Sequence, residues 1–591
     1  MTPSDALPAP ARSNRPRRWL LPQTDSAQAA SLAHEARLPL LIAELLLARG
    51  VSSAAQAASF FAPSLDHLLD PYSMLGMAQA VERIEQAIAL GETILIYGDY
   101  DVDGTTATVL LKTAVERLGG TVRFHVPHRL REGYGMQSEI LASAAAEGVR
   151  LVISVDTGIR AFAAADAAAE LGLDLIVTDH HLPEAAQDLP RALAVLNPNQ
   201  PGCPYACKFL CGAGVAFKLS QALLEKRDPE RARTKILPSF LKMLAIATVA
   251  DAVPLLSENR TIVSIGLEEL RRPVGSGLRA LMQEAQLDPA RRSLTATDVA
   301  FRLAPRINAA GRMDIASEVI ELFTTRDVAR AKELAARLEK LNSERRETEA
   351  AILADVATRL VAPEFAAARC IVMDGDGWHR GVIGIIASRI VDLTGKPAVV
   401  ISRENGEAHG SGRSIDGYHL LDAIESCAGL FTRFGGHAHA VGFSLPSDRV
   451  PELRAHLVDH ARSRIADEDL GGPLTCHAEL PLDHITPALF SWLRRLEPFG
   501  MGNEEPVFVA RNVRLAGPVR TLKEKHVRLN LAQGPRGTQY KALGWNWAER
   551  VAALDLHQDQ PLHIAYRLRE NEHPEYGGLE LEIADLQKSA P

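Results

Sequence analysis

The sequence predicts an α/β protein in which a parallel-sheet domain is joined by a long helix to a smaller α/β domain, followed by a β-barrel domain. Three observations predict it. Strand-like and helical segments alternate between residues 93 and 196, the spacing of βαβ units. Residues 326–360 contain no Gly or Pro and are rich in Ala, Glu, Arg and Leu, which favours one long helix. Beyond residue 475 the pattern changes to short β-segments.

The parallel sheet is predicted from apolar segments that each end at a turn. They are Thr93–Tyr97, Thr121–Val126, Leu151–Val155, Asp174–Thr178 and Ala192–Leu196. Helical patterns such as Gln137–Glu147 and Phe162–Leu171 lie between them, and a largely helical stretch, 208–325, follows. This alternation indicates parallel strands with crossover helices.

The smaller α/β domain and the barrel are predicted from later β-segments. Those of the α/β domain are Cys370–Met373, Ala398–Ile401 and Ala440–Ser444. Those of the barrel are Val507–Leu515, His526–Leu531, Gln539–Trp545, Leu562–Leu568 and Leu579–Ile583. Five strands with the single helix Trp547–Leu554 suit an OB-type barrel, and its mixed aromatic and basic residues suit a single-strand binder. A packing domain with ordinary surface lysines is the alternative.

These patterns divide the chain into five parts. The predicted parts are an N-terminal tail with short helices at 1–75, the parallel-sheet domain at 76–325, the connecting helix at 326–360, the smaller α/β domain at 361–465 and the OB-like domain at 475–591. A chain of 591 residues is too long for a single hydrophobic core.

Composition sets limits on the class of protein. The net charge of −8 argues weakly against a nucleic-acid partner, although a basic groove can exist locally. Six cysteines do not suggest a disulfide scaffold, and unpaired thiols in a loop explain Cys203, Cys207 and Cys211 better than a metal cluster. Residues 1–18 are rich in Pro and Arg without an apolar signal-peptide core, which predicts a disordered tail on a cytoplasmic protein with no membrane association.

Three aspartates, Asp99, Asp101 and Asp103, stand at alternate positions after the first strand-like segment. A helical pattern, Thr105–Leu118, follows, so they lie on a strand-to-helix turn at the sheet edge where ligands bind. Carboxylates this close repel one another unless a cation joins them, and oxygen ligands suit Mg²⁺ and Mn²⁺. Taken alone, this turn is equally compatible with a solvated acidic helix cap.

Two other strand-like segments end in ionisable residues at the same predicted edge. The third is followed by Asp156 and the fourth by Asp179–His181, while a later helical stretch supplies Asp251. A lone Asp after a strand is usually a helix cap, but acids and imidazoles at three strand ends are harder to explain as caps. The set offers enough ligands for two metal ions that share a carboxylate and act on a phosphoryl group.

On these motifs the chain resembles the DHH phosphoesterase superfamily, and within it the single-strand-specific 5′→3′ exonucleases. The resemblance covers roughly residues 60–591. The motifs that carry it in the DHH domain are Gly98–Gly104, Val126–Arg129, Gly133–Gly135, Asp156–Gly158, Asp179–His181, Leu210–Gly214, Val249–Asp251 and Asn308–Arg312. Gly410–Ser414 and Gly435–Gly442 resemble the DHH-associated domain, DHHA1, and Glu497–Asn503 matches the segment that leads into the OB-like domain. Cys203 and Cys207 belong to no motif of the family.

The resemblance implies two divalent ions, Mn²⁺ or Mg²⁺. The implied metal ligands are Asp99, Asp101, Asp103, Asp156, His180 and Asp251. Asp156 would bridge the ions, with Asp99 and Asp101 on one ion and the others on the second. The implied catalytic residues are Asp103, Asp156 and His181, where His181 would polarise the scissile phosphate or protonate the leaving group. A purely supporting role is the alternative for His181.

The resemblance also implies a site that binds the 5′-phosphate and the DNA. Its residues are Arg129, Tyr134, Arg312, Ser411, Arg413 and His437. The planar donors of arginine grip phosphate oxygens in pairs, and glycines beside Ser411 and Arg413 let the backbone approach a ligand closely. The alternatives are surface salt bridges for the arginines, a hydrogen-bonded loop position for His437 and a packing role for Tyr134.

The function predicted is a metal-dependent exonuclease that digests single-stranded DNA from 5′ to 3′ and releases 5′-mononucleotides, in DNA repair and recombination. The expected partners are single-stranded DNA, a single-strand-binding protein and a helicase, and the expected state is a monomer. One alternative is a small-substrate phosphodiesterase or pyrophosphatase for nanoRNA or cyclic dinucleotides, which the OB-like domain disfavours. The other is a non-catalytic replication scaffold, which the intact ligand set disfavours.

Overall fold

A computed structural model describes residues 17–589, apart from 129–134, 185–187, 273, 313–314, 467–469, 535–536, 559 and 572–576. Its contacts divide the chain into two compact units. The first unit comprises Ala55–Glu344 and Leu496–Glu504. The second comprises Met1–Ala54, Arg345–Arg495 and Glu505–Pro591. The finer domain boundaries given above stay predictions.

The first unit contains a five-stranded parallel sheet in the order β2-β1-β3-β4-β5. Its strands are β1 (Thr93–Tyr97), β2 (Thr121–His125), β3 (Leu151–Val155), β4 (Asp174–Thr178) and β5 (Ala194–Leu196). Alternate residues of β1 enter different apolar clusters, because Ile94 and Ile96 lie in one and Leu95 and Tyr97 in the other. Both faces are therefore covered, as parallel sheets require, and the predicted strands are confirmed with small shifts at their ends.

Helices cover this sheet and complete the first unit. The five used below are α1 (Val102–Arg117), α2 (Gly212–Arg227), α3 (Leu237–Ala250), α4 (Ser257–Glu269) and α5 (Ala304–Arg312). A sixth, α6 (Val328–Leu360), begins in the first unit and belongs to the second unit from Arg345 onward. The others are Ala54–Phe61, Met77–Leu90, Ser138–Ala146, Phe162–Glu170, Pro229–Arg231, Ser276–Glu284, Ala296–Asp298 and Ala316–Thr324, with 3₁₀ turns at Leu65–His67 and Pro71–Ser73 and π turns at Ala232–Ile236 and Val299–Leu303. The long helix α6 matches the predicted connecting helix within two residues.

A buried ion pair joins α2 to α4. Lys218 Nζ lies 2.7 Å from Glu258 Oε1, and both side chains are fully buried. Lys218 also donates to the Leu69 carbonyl at 2.6 Å, and Glu258 accepts from the Tyr205 hydroxyl at 2.5 Å. Burial lowers the pKa of Lys218 by disfavouring its charged form. Each charge therefore depends on the other for compensation.

The second unit contains a mixed five-stranded sheet in the order β9-β10-β8-β7-β6. Its strands are β6 (Ile371–Asp376), β7 (Ala398–Glu404), β8 (Glu407–Arg413), β9 (Arg433–His437) and β10 (Ala440–Pro446). The sequence pattern missed β8 and β9 because both are rich in glycine, which disfavours strands. Tertiary packing requires the glycine, since a Cβ at Gly410 would overlap the Phe443 ring.

The barrel predicted for the C-terminal part is confirmed. Its strands are β11 (Ala478–Glu479), β12 (Phe508–Leu515), β13 (Arg520–Leu522), β14 (His526–Gln533), β15 (Thr538–Gly544), β16 (Leu562–Asn571) and β17 (Gly578–Lys588). Five of them close a ring, because β12 pairs with both β16 and β14 while β17 and β15 connect the other ends. Closure removes the exposed sheet edges.

An N-terminal strand is attached to the second unit. Trp19–Leu20 pairs in parallel with Leu474–Thr475, and the Trp19 indole donates to Asp585 Oδ2 at 2.6 Å. Arg17 also donates to the Pro473 carbonyl at 3.0 Å. The end of the predicted disordered tail is therefore bound to folded structure, whereas residues 1–16 lie outside the described residues.

The remaining helices of the second unit surround the mixed sheet and the barrel. They are Ser26–Ala36, Leu40–Leu47, Pro363–Ala367, Ile383–Thr394, Leu420–Glu425, Val450–Arg464, Pro487–Arg494 and Ala548–Leu554, with 3₁₀ turns at Ala428–Leu430, Ser447–Arg449 and Leu482–His484. Among the helices of the described residues, none combines the length and the apolar composition that crossing a bilayer needs. All six cysteines are free thiols.

Replacing Lys218 by Met should lower the free energy of unfolding by about 3–5 kcal/mol, because Glu258 would be left buried without its cation. Lys226→Met is the matched control, since Lys226 lies on the same helix and pairs with Glu85 at 2.5 Å where both side chains are exposed. The Lys226→Met substitution should lower the free energy of unfolding by less than about 1 kcal/mol. Urea denaturation followed by circular dichroism measures both values, and equal costs would show that the buried pair does not stabilise the fold.

Candidate metal centre

The three aspartates after β1 lie on the turn that begins α1. Asp101 caps this helix, because its Oδ1 accepts from the Gly104 N–H at 3.0 Å. Asn308 of α5 accepts from the Val102 N–H at 3.2 Å, which fixes the turn from a second helix. Asp99 and Asp103 are buried, so their side chains have little contact with bulk water. The turn therefore holds three acids close together by means of neutral hydrogen bonds.

The ends of β3 and β4 bring further acids to the same edge. Asp156 follows β3 in the left-handed backbone region, with φ 60°, which is sparsely populated for a residue with a Cβ. Its N–H donates to the Thr178 carbonyl at 2.9 Å, so pairing with β4 holds this conformation. Asp179 follows β4, and its N–H donates to the Leu196 carbonyl at 3.0 Å. Sheet pairing thus continues beyond the strands into Asp156 and Asp179.

The N-terminus of α2 points at the Asp103 carboxylate. The Gly212 and Ala213 N–H groups donate to its two oxygens at 2.5 Å and 2.9 Å. A helix N-terminus stabilises negative charge through its unpaired N–H groups and its dipole. A Cβ at Gly212 would overlap the Asp156 carboxylate, so only glycine lets α2 approach this closely.

His180 faces the acids with its Nε2 atom. The distances from Nε2 are 3.4 Å to Asp156 Oδ1, 3.8 Å to Asp251 Oδ2 and 3.9 Å to Asp103 Oδ2. The ring also hydrogen-bonds to the backbone of Leu210, the orienting partner that the sequence could not identify. Burial lowers the pKa of His180, which favours the neutral imidazole that a metal requires.

His181 is oriented by a different partner. Its Nδ1 lies 2.7 Å from Asp179 Oδ1, while Asp179 Oδ2 accepts from the Ile159 N–H at 2.9 Å. Burial alone would lower the pKa of His181, but the hydrogen bond to Asp179 outweighs it and raises the pKa above its ordinary value. The same bond outweighs burial at Asp179 and lowers the pKa of that carboxyl. His181 is therefore favoured as a proton donor near neutral pH.

The carboxylates of this edge destabilise one another when no cation is present. Burial raises the pKa of Asp101, and the charge of Asp103 raises it further. Burial and the neighbouring aspartates raise the pKa of Asp156 well above its ordinary value and that of Asp251 to about 9. Crowded acids of this kind are stable as anions only when cations join them.

The donor set fits divalent ions. Potential ligand atoms within 4.8 Å of one another form the groups Asp99, Asp101 and Asp156, then Asp103, His180 and Asp251, then Asp156, His180 and His181. The first group is the ligand set implied for one ion, and the second contains three of the four ligands implied for the other. Among the described residues, Asp156 Oδ1 and Asp251 Oδ2 are buried without a hydrogen-bond partner, which suits oxygens that coordinate a cation.

A polar cleft of about 280 Å³ opens at these residues. Asn308 and Arg312 of α5 line it together with Tyr100 and both histidines. The structure thus brings Arg312 to the acidic cluster, where a cation can bind a phosphate. Arg129 and Tyr134, also predicted to bind DNA, lie outside the described residues.

In the second unit, Ser411 and Arg413 lie on β8 and His437 lies on β9, with β10 between these two strands. Arg413 donates to Ser411 Oγ at 3.2 Å. A Cβ built at Gly384, at the start of helix Ile383–Thr394, would lie 3.1 Å from Ser411 Oγ and 3.3 Å from Arg413 Nη2. Ala440 of β10 pairs in register with Arg413 of β8 on one side and with His437 of β9 on the other. A helix N-terminus, a hydroxyl and a guanidinium therefore converge, as anion sites require.

One face of the barrel is basic. Arg520 pairs in register with Arg528, and Asn530 pairs with Lys541. These four residues help to line a groove of about 540 Å³. Trp545 follows β15 with 51% of its surface exposed. Basic grooves and exposed aromatic rings are both typical of proteins that bind single-stranded nucleic acids.

Comparison with known proteins finds matches along most of the chain. Family models match for the DHH family N-terminal domain at residues 93–248, the DHHA1 domain at 364–463 and the RecJ OB domain at 476–585. The single-stranded-DNA-specific exonuclease RecJ of Dickeya dadantii is 36% identical over 559 residues, which cover 90% of this chain and 94% of that protein. The chain belongs to the RecJ family.

Two other RecJ proteins give the extent of the similarity. The single-stranded-DNA-specific exonuclease RecJ of Bacillus subtilis is 37% identical over 534 residues, which cover 90% of this chain but only 66% of that longer protein. The crystal structure of Thermus thermophilus RecJ in complex with Mn²⁺ matches with a TM-score of 0.82 and 30% identity, covering 97% of this chain and 80% of that one. The complex of the same protein with Mg²⁺ matches with a TM-score of 0.76.

Membership of the RecJ family confirms the predicted fold class and the predicted class of enzyme. The Mn²⁺ and Mg²⁺ complexes of the Thermus RecJ, together with the ligand groups found here, confirm that the cofactors are divalent metal ions. The roles of individual residues stay predictions.

The sequence analysis did not predict the supporting role of four groups of this RecJ-family site. They are the Asp179 carboxylate, the Asn308 side chain, the Leu210 backbone and the N–H groups that begin α2. Asp179, Asn308, Leu210 and Gly212 all stand in motifs that carried the family resemblance, so a signal existed. Spacing along the chain could not show which of them would contact the acids.

Replacing Asp156 by Asn should abolish the stabilisation of this RecJ-family chain by Mn²⁺, because both predicted ions would lose a ligand. In metal-free buffer the same variant should unfold at the same temperature as the wild type or higher, since one of the mutually repelling carboxylates is gone. Differential scanning calorimetry with chelator and with saturating Mn²⁺ measures both effects. Asp166→Asn, an identical change at an exposed helix position, is the control and should respond to Mn²⁺ as the wild type does. A normal Mn²⁺ response in Asp156→Asn would contradict the ligand assignment.

Proposed function

We propose that this chain is a metal-dependent exonuclease that digests single-stranded DNA from 5′ to 3′ and releases 5′-mononucleotides. The observation that carries the proposal is that all six predicted metal ligands meet at one sheet edge, beside a cleft that also contains Arg312, in a chain of the RecJ family. The basic barrel face supports single-stranded DNA as the substrate.

The acids and His180 would hold two divalent ions. Asp99, Asp101 and Asp156 are assigned to one ion, and Asp156 is also assigned to the other with Asp103, His180 and Asp251. When bound, these ions would neutralise charge on the scissile phosphate and lower the pKa of the attacking water. Asp99, Asp103 and Asp156 are buried, and reduced contact with water strengthens the interaction of these three carboxylates with a cation.

His181 is assigned to the leaving group. Release of a 5′-mononucleotide breaks the bond between phosphorus and the 3′-oxygen, which must gain a proton. Asp179 fixes the orientation of the His181 ring and favours its protonated form, so the ring can deliver that proton. Burial lowers the pKa of the neighbouring His180, which favours its neutral form, so this ring is assigned to a metal instead.

The terminal 5′-phosphate is assigned to the residues predicted to bind it. Ser411 and Arg413 lie at the N-terminus of helix Ile383–Thr394. Across the sheet, His437 is in register with Arg413 through Ala440, which pairs with both. This arrangement supports binding of the terminal phosphate by Ser411 and Arg413. The assignment of Arg312 and Arg129 to that phosphate stays a prediction from the sequence. A site that binds the terminal phosphate sets the direction of digestion, because only the 5′ end of the strand carries that group.

The cellular setting is proposed on the family alone. We place the protein in the cytoplasm as a monomer that acts in DNA repair and recombination. A single-strand-binding protein and a helicase are the proposed protein partners. These assignments stay predictions.

A time course on 5′-labelled single-stranded DNA tests the proposed activity. With Mn²⁺ or Mg²⁺ the first labelled product should be a mononucleotide, and chelator or a blunt duplex should give none, because the reaction requires the ions and a single strand. A ladder of shortened labelled strands would mean digestion from the 3′ end and would remove the proposed direction. No cleavage of DNA, with hydrolysis of dinucleotides, would support the small-substrate alternative, and no hydrolysis of either would support the scaffold.

Replacing Arg413 by Ala should raise KM for 5′-phosphorylated strands by about tenfold or more, which corresponds to one charged hydrogen bond of about 1.5–3 kcal/mol. KM for strands that begin with a 5′-hydroxyl should change much less, because the lost contact is to the phosphate. Steady-state kinetics on the two substrates measures the difference. Arg449→Ala removes an exposed arginine of the same unit that pairs with Glu452, and it should alter neither KM. Equal effects of Arg413→Ala on both substrates would remove Arg413 from the phosphate site.

A further inference from the structure

The side-chain amide of Asn259 connects two loops of the first unit. Asn259 lies in the first turn of α4 and is 1% exposed. Its Nδ2 atom donates to the Phe209 carbonyl at 2.5 Å and to the Pro254 carbonyl at 3.0 Å. These carbonyls belong to separate loops, each next to a part of the acidic cluster.

The first of these loops supports one side of the cluster. Phe209 is followed by Leu210, whose backbone hydrogen-bonds to the His180 ring. Directly afterwards, Gly212 and Ala213 donate their N–H groups to Asp103. A shift of this loop would therefore move the partners of two predicted metal ligands together.

The second loop supports the other side of the cluster. It begins at Asp251, where α3 ends, and passes through Ala252 in the left-handed region with φ 56°. Such a conformation is unfavourable for alanine, so the surrounding structure has to hold it. The contacts that hold this loop include the bond from Asn259 to the Pro254 carbonyl and the bond from the Leu255 N–H to the Met501 carbonyl at 2.7 Å.

The residues on both sides of Asn259 fix α4 itself. Glu258 is bound by Lys218 in the buried ion pair. Arg260 donates to the Leu496 carbonyl at 3.0 Å, and its guanidinium lies 3.5 Å from the centre of the Phe60 ring. These contacts hold α4 in place, and the hydrogen bonds of the Asn259 amide attach the two loops to this helix.

We propose that Asn259 is a positioning residue for the divalent-metal centre. Its amide sets the separation between the loop that carries Asp251 and the loop that orients His180 and Asp103. The ligand atoms of those three residues lie within 4.8 Å of one another, so a small change in loop separation would disturb the whole group. The proposal rests on the metal assignment made above. Groups that support metal ligands from outside typically change affinity by about 10–100-fold when they are lost.

The test is Mn²⁺ binding by full-length Asn259→Ala and Asn259→Ser, prepared metal-free. Electron paramagnetic resonance of free Mn²⁺ gives the dissociation constant without any reaction being required. Asn259→Ala should bind Mn²⁺ about tenfold or more weakly, because both loops lose their connection. Asn259→Ser should lose less Mn²⁺ affinity than Asn259→Ala, because the serine hydroxyl can still donate to one of the two carbonyls. Binding of single-stranded DNA in chelator should stay at the wild-type value.

Gln533→Ala is the matched control. The Gln533 amide accepts from the Leu482 N–H at 2.6 Å and donates to the Arg511 carbonyl at 2.6 Å, so this variant also loses two amide hydrogen bonds, but in the second unit. Its Mn²⁺ affinity should equal that of the wild type. Thermal unfolding in chelator shows whether each variant is folded. If Asn259→Ala is not folded, the Mn²⁺ affinity of Asn259→Ser tests the proposal.

The possible outcomes separate this proposal from the proposed function. If folded Asn259 variants bind Mn²⁺ as tightly as the wild type, Asn259 is not a positioning residue, and the metal assignment is unaffected. An equal loss of affinity in Gln533→Ala would also overturn the role of Asn259, since the effect would not be local. If the wild type itself binds no Mn²⁺, the metal assignment of the proposed function fails first.

Discussion

Repulsion among five buried or half-buried carboxylates at one sheet edge is the constraint on which the rest of the first unit depends. Asp99, Asp101, Asp103, Asp156 and Asp251 reach this edge from three different parts of the chain. The fold compensates for part of the repulsion with neutral donors, above all the N-terminus of α2 at Asp103. Among the described residues, it leaves oxygens of Asp156 and Asp251 without a hydrogen-bond donor, which is where divalent cations fit the site. A structure optimised for stability alone would not bury acids in this way.

The adjacent histidines His180 and His181 lie in two different electrostatic environments. His180 points Nε2 at the acids, bonds to the Leu210 backbone and has its pKa lowered by burial. His181 bonds to the Asp179 carboxylate, and its pKa is raised. Environments that push two pKa values in opposite directions are the usual sign of separate acid and ligand roles. The division depends on Asp179 and Leu210, which are neither predicted ligands nor predicted catalytic residues.

The second unit uses backbone more than side chains to prepare its binding surfaces. Glycine in β8 lets Phe443 pack against the strand that carries Ser411 and Arg413, and the helix that begins at Ile383 directs its N-terminus toward the same two residues. The barrel closes through the pairing of β12 with β14, which leaves a regular face where Arg528 and Lys541 stand on adjacent strands. Both surfaces present positive charge on rigid elements, although the chain as a whole carries a net charge of −8.

The sequence by itself determined the regular elements and the list of reactive residues. Apolar segments fixed β1, β3 and β4 because burial on both faces demands continuous apolar strands, and the absence of Gly and Pro fixed α6. Only the tertiary structure decided the glycine-rich strands β8 and β9 and the partners of the acids. Those features arise from contacts between residues far apart in the chain, such as Gly212 with Asp103 or Asn259 with Phe209. Local propensity and spacing carry no information about such contacts, because they exist only after the chain has folded.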